Sequence, residues 1–172
     1  MGIGNTDDGR YHYPRRVAIA NQTLHAGLAY QRKGDSATAR KYFDVAVAAI
    51  DERIKAFPDN AEFWAERCWV RAVTKTDQDM GLADCAIGLK TKPGDSELLR
   101  NRGLALYRLG KGREALASYD ASLQAKPDDA FALFLRGSLK QKLGEPGGEA
   151  DIKSARDLNP DIDAIFNNYL IN

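Results

Sequence analysis

The residues of this 172-residue chain whose types could do chemistry are few: two histidines, two cysteines, and arginines and aspartates that recur at intervals. His12 and His25 have no cysteine or carboxylate at metal-ligand spacing, so each reads as an ordinary polar residue and no metal is expected. The sequence contains no G-x-S-x-G, phosphate-loop or H-E-x-x-H pattern. The Gly-Glu-Pro-Gly-Gly run beginning at Gly144 lacks the following Lys-Ser/Thr of a phosphate cradle and reads as a turn. With no nucleophile, base and orienting group to name together, the chain is expected to be non-catalytic and to need no cofactor. Arg67, Arg102 and Arg136 each precede a small residue, and Asp84, Asp120 and Asp151 follow them downstream. The favoured reading is an ion pair inside each helical pair, with the arginine stem packed. The alternative is a basic row along a binding surface.

Charge narrows the partners. Lys+Arg number 25 against 24 Asp+Glu, whereas nucleic-acid binders carry a marked basic excess. RNA binding is therefore the least favoured use of the chain, and a protein or peptide is the expected partner. No apolar run reaches the ~18 residues of a membrane span. The opening residues lack the apolar segment of a signal peptide. A cytoplasmic protein is expected, or an exported one if a leader is missing.

The elements that position these residues are helices. Between Ser96 and Pro127 the sequence predicts a helix to Leu109, a turn at Gly110, and a second helix over Arg113–Ala125. Gly103, midway along the first, is expected to admit Ala115 of the second at close range. Prolines after helical runs fall at Pro58, Pro93, Pro127 and Pro160, at spacings of 35, 34 and 33 residues. A period near 34 residues with two helices each marks a helical repeat. The same reading predicts helices over Arg15–Lys33, Ser36–Ala56, Ala61–Thr74, Met80–Thr91, Ala130–Leu143 and Gly148–Leu158. The Ser36–Ala56 helix runs about two turns, roughly 10 Å, beyond what the period requires.

Four in-phase copies carry a resemblance. Leu99, Arg102-Gly103, Leu106, Ala115, Tyr119 and Pro127 fill one copy; Leu133, Arg136-Gly137, Lys140, Gly148, Ile152 and Pro160 fill another. Trp64, Arg67-Cys68, Arg71, Gly81, Cys85 and Pro93 give a looser copy, and Ala26-Gly27, Tyr30, Gly34, Ala39 and Phe43 an opening one. The chain resembles the tetratricopeptide repeat family, and its Arg-Gly pairs look like the common bacterial form. The resemblance implies an all-α, right-handed solenoid with repeats at 15–58, 59–93, 94–127 and 128–160. A loose segment at 1–14 would precede them, and a capping helix at 161–172 would cover the last.

It also implies a concave groove built from the first helix of each repeat. By repeat phase the groove residues are Glu62, Glu66 and Trp69, then Arg100, Asn101, Leu104, Tyr107 and Arg108, then Phe131, Phe134, Leu135, Ser138 and Gln141. The opening repeat adds Asn21, Leu24, Leu28 and Gln31. Trp69, Tyr107 and Phe131 are the apolar anchors, or else pack against the neighbouring helix. The Lys-Asn-Asn-Lys-Arg clamp with which chaperone-binding relatives hold a terminal carboxylate falls on Leu24, Leu28, Glu66, Glu97 and Asn101, so that ligand is not carried over. Cys68 stands at the small position and Cys85 one turn beyond Gly81, within bridging reach. Buried free thiols are expected in a reducing compartment, a disulfide in an exported protein. The resulting expectation is a protein-interaction module whose groove holds a peptide or helix of a partner, or another copy of the chain. The rival is an accessory or regulatory subunit of a cell-envelope complex that docks through the long Ser36–Ala56 helix.

Overall fold

A computed structural model describes residues 13–169, and among these it forms helices and no strand. The expected loose segment lies outside the described residues over 1–12. Tyr13 and Pro14 instead open the first helix, α1 (Tyr13–Arg32). Proline is tolerated there because the first turn asks for no intrahelical N–H donor.

The chain divides into two compact units, residues 1–56 and 57–172. In the first, α1 pairs with α2 (Ser36–Ala56), 21 residues long. Ala39, Phe43, Ala46 and Ile50 form the buried stripe of α2. The Phe43 ring fills the space above Gly27, where an added Cβ would lie 2.4 Å from it.

The second unit holds three further helical pairs and a short final helix. They are α3 (Ala61–Thr74) with α4 (Gln78–Thr91), α5 (Ser96–Arg108) with α6 (Gly112–Ala125), and α7 (Ala130–Leu143) with α8 (Gly148–Leu158). The last is α9 (Ile162–Asn168). Its observed span is shorter than the expected 161–172 cap, of which residues 170–172 lie outside the described ones. Three of these helices start by the same local device: a proline, one residue, then an Asn or Asp cap. The Asn60 side chain accepts the N–H of Glu62 at 3.0 Å, Asp95 that of Leu98 at 3.0 Å, and Asp129 those of Phe131 and Ala132 at 3.0 and 3.1 Å. Each cap satisfies a donor that the first turn leaves open. Between α5 and α6, Gly110 takes a left-handed φ of 75°, as the turn demands.

Within each pair, one small residue of the first helix faces one residue of the second. The expected partner of Gly103 is Ala115; the structure puts the Tyr119 ring there instead, 2.4 Å from where a Cβ would stand. In α7–α8 the backbones themselves close up, with the Gly148 carbonyl 2.6 Å from a Cβ built on Gly137. In α3–α4 the corresponding residues are Cys68 and Cys85, and they are bonded, with a Cα–Cα distance of 5.5 Å. One contact is thus made by glycine under an aromatic ring, by two glycines, or by a covalent bridge.

Candidate protein-binding groove

The recurring arginines at positions 67 and 136 turn toward their own helical pairs, not outward. Arg67 donates to Asp84 at 2.7 and 3.0 Å, and Arg71 joins the same carboxylate at 2.5 Å. Arg136 donates to Asp151 at 2.6 and 2.7 Å, with Lys140 at 3.0 Å. Burial pushes the Asp151 carboxyl upward, but the hydrogen bonds from Arg136 and Lys140 outweigh it and hold its pKa below the ordinary value. The middle pair departs from the expected pattern. Asp120 bonds Arg136 of the following pair at 2.9 Å. The position equivalent to Asp84 and Asp151 is in fact Ser118, whose hydroxyl donates to Glu114 O at 3.0 Å.

The expected groove residues separate into two groups. Asn101, Leu104 and Leu135 are expected on the open face, and all three are buried. So are Leu24 and Leu28 of the opening repeat. Asn101 Nδ2 donates to the Ala65 carbonyl at 3.0 Å, tying α5 to α3. Leu104 and Leu135 are core, because neighbouring first helices pack closely enough to cover the flanks of the face. Arg100, expected in the groove, is bound to Asp129 at 2.7 Å and lies over the Phe131 ring at 5.4 Å. Since Asp129 also caps α7, this arginine fastens one repeat to the next.

The other group does converge. Trp69 of α3 meets Phe131 of α7 edge-on at 6.4 Å. Between α5 and α7 lies a cavity of about 380 Å³, lined by Tyr107, Phe134, Leu135, Ser138, Leu139, Gln141 and Lys142, with Tyr119 of α6 contributing. Its walls are apolar and aromatic and its edge is polar. Lys142 Nζ donates to Tyr107 Oη and stands 5.2 Å from the centre of that ring. The Arg108 guanidinium lies 5.9 Å from the same ring and donates to Ala72 O at 3.4 Å. Burial lowers its pKa. Glu62 is exposed and Glu66 half-buried on α3. Lys142 is not among the residues that repeat phase assigns to the groove. It lies a turn beyond Ser138 on the same helix, a spacing that could have found it.

Helical pairs recurring at this period, with a small residue at each internal contact and a face of first helices, are the tetratricopeptide-repeat fold, and this chain carries it. No family model matches the chain. Small glutamine-rich tetratricopeptide repeat-containing protein 2 of Saccharomyces cerevisiae is 27% identical over 134 residues, covering 77% of this chain. The chain spans only 38% of that relative's length. Among solved structures, PilW, described as a widely conserved type IV pilus biogenesis factor, is 25% identical with a TM-score of 0.60, over 83% of this chain and 63% of that one. MamA is 16% identical with a TM-score of 0.59, over 83% and 80% of the two chains. The first repeat domain of Spaghetti (RPAP3), solved with the HSP90 peptide SRMEEVD, is 20% identical with a TM-score of 0.54, over 74% and 95%.

Proposed function

We propose that the chain is a non-catalytic protein-interaction module that holds a segment of a partner protein against α5 and α7. The cavity of about 380 Å³ carries this reading. Its size suits one large apolar side chain, and its polar edge at Ser138, Gln141 and Lys142 suits the ligand's backbone or an acidic neighbour. The peptide-bound RPAP3 domain supports this use of the fold. The chemistry of that peptide does not transfer, since two clamp positions here are the buried leucines Leu24 and Leu28. The test is quantitative binding of a partner captured from the native cell. Ser138→Trp, which places an indole in the cavity, should abolish binding and leave the melting temperature unchanged. Binding that survives Ser138→Trp would overturn the groove reading.

A second reading has its own support. The Cys68–Cys85 bridge fits a protein that works in an oxidising compartment, and PilW is a pilus biogenesis factor. In this reading the chain is an accessory subunit of a cell-envelope complex and docks through α2, where Val45 is exposed. Loss of partner binding on Val45→Glu, with Ser138→Trp silent, would select it.

A further inference from the structure

One helix of the chain already occupies part of the face that the groove reading assigns to a partner. Phe166 of α9 stacks on Phe134 at 4.6 Å with the rings 6° from parallel, and meets Phe131 at 5.2 Å. Three residues on, Tyr169 meets Trp69 of α3 edge-on at 5.1 Å. A cap for the last repeat needs to cover α7 and α8, and the fully buried Ile162 and Phe166 suffice for that. Tyr169 goes further and reaches the helix two repeats back, which capping does not require.

We propose that this face recognises an aromatic pair spaced i, i+3 on a short helix, and that Phe166 and Tyr169 are a displaceable occupant of that seat. The inference rests on the groove reading and names the kind of segment the groove takes. Tyr169 is the C-terminal cap of α9 and donates its N–H to the Ile165 carbonyl at 3.2 Å, so it continues the helical turn and shares a face with Phe166 three residues before it. The seat is made of Trp69, Phe131 and Phe134, and aromatic rings in edge-on or offset contact gain attraction beyond their buried area. Displacement follows from what α9 leaves undone. Phe134 borders both the seat and the cavity, yet no described residue of α9 lines the cavity. A partner helix with the same aromatic pair and one more large apolar side chain gains a contact that α9 lacks. The hold on α9 is also modest on its outer side. Its ion pair, Arg156 with Asp163 at 2.8 Å, is about half exposed, and such pairs contribute little.

The experiment measures fluorescence anisotropy of a labelled synthetic peptide of residues 161–169 against the full chain. In the wild type the tethered segment competes at an effective concentration on the order of millimolar. Tyr169→Ala should therefore bind the peptide at least about tenfold more tightly than wild type. A peptide with both aromatic residues changed to alanine should bind neither chain. Phe166→Ala should behave as Tyr169→Ala does; where it fails to fold, Tyr169→Ala alone decides. Equal affinity for wild type and Tyr169→Ala overturns the proposal. So does the absence of binding by a Tyr169→Ala chain with wild-type helix content, which would leave α9 as a plain cap. The Ser138→Trp assay reads the groove independently, so the two ideas fail separately.

Discussion

A methyl group added at Gly103 would stand 2.4 Å from the Tyr119 ring, and that ring is fully buried. Relieving that contact means shifting the ring out of its packed position toward the cavity it lines, and burial also raises its pKa. Gly103→Ala should therefore destabilise the chain by about 1–3 kcal/mol, the usual cost of overpacking a tight site. Denaturant melts of the two proteins measure it. At Asp151 the sign of the pH dependence follows from its lowered pKa. Protonation costs the folded state more than the unfolded one. The contribution is complete above the ordinary carboxylate pKa of about 4 and is lost as pH falls through the lower folded value. Asp151→Asn should cost about 1.5 kcal/mol at neutral pH, the low end of the range for hydrogen bonds to charged groups, because solvent reaches part of the site. The deficit should shrink on acidification through that window, and melts at pH 7 and below pH ~4 check it. Arg100 belongs to the same class of residue. Its bond to Asp129 makes its removal a stability change first, and a poor probe of ligand binding.

At the scale of elements, the four helical pairs solve one packing problem differently. The α3–α4 pair alone uses a covalent link among the described residues. Cys68 and Cys85 are 17 residues apart, and closing a loop of that order stabilises by about 3 kcal/mol in the chain-entropy account. Reduction should lower the melting temperature by a corresponding amount, followed by calorimetry with and without a thiol reductant. Thiol counting on denatured, unreduced protein should find no free thiol. Ion pairs act within and between the helical pairs. Arg67 and Arg71 share Asp84 between α3 and α4, and Arg136 joins α7 both to α8 and back to α6. That last link is made by Asp120, whose counterparts in the neighbouring pairs are Ala86 and Lys153, while Ser118 stands at the position equivalent to Asp84 and Asp151.

For the second unit as a whole, the question is how its end is closed. Repeat stability is carried by nearest neighbours, so an uncovered terminal pair leaves an apolar face. Ile162 is the most buried anchor of α9 and Phe166 is almost as deep. Ile162→Asp should undock α9, because a carboxylate is costly to bury at a position with no solvent exposure. The exposed aromatic face should then drive self-association, visible as a rise in mass by light scattering as concentration increases. A chain that stays monomeric at every concentration would show that α9 covers nothing of consequence. Among the described residues no helix is long and apolar enough to cross a membrane.

Local physics made much of this chain legible before any coordinates. Helical periodicity acts within a few residues, and the prolines punctuate it at a near-constant spacing. They set most helix boundaries, including the full span of α2, and they identified the repeat. Repeat phase also placed Cys68 opposite Cys85, because equivalent positions in successive pairs meet in the same way. Tertiary structure decided what depends on the sizes of side chains brought from other repeats. Only packing could put Tyr119 rather than Ala115 over Gly103, since a ring longer than the gap must lie across the vacant site. Only the approach of α3, α5 and α7 could bury Asn101, Leu104 and Leu135, while Tyr107 and Ser138 were left beside a cavity. The meeting of Tyr169 with Trp69 belongs to the same kind. The two lie 100 positions apart, and the short range of sequence patterns cannot register a contact made by the fold.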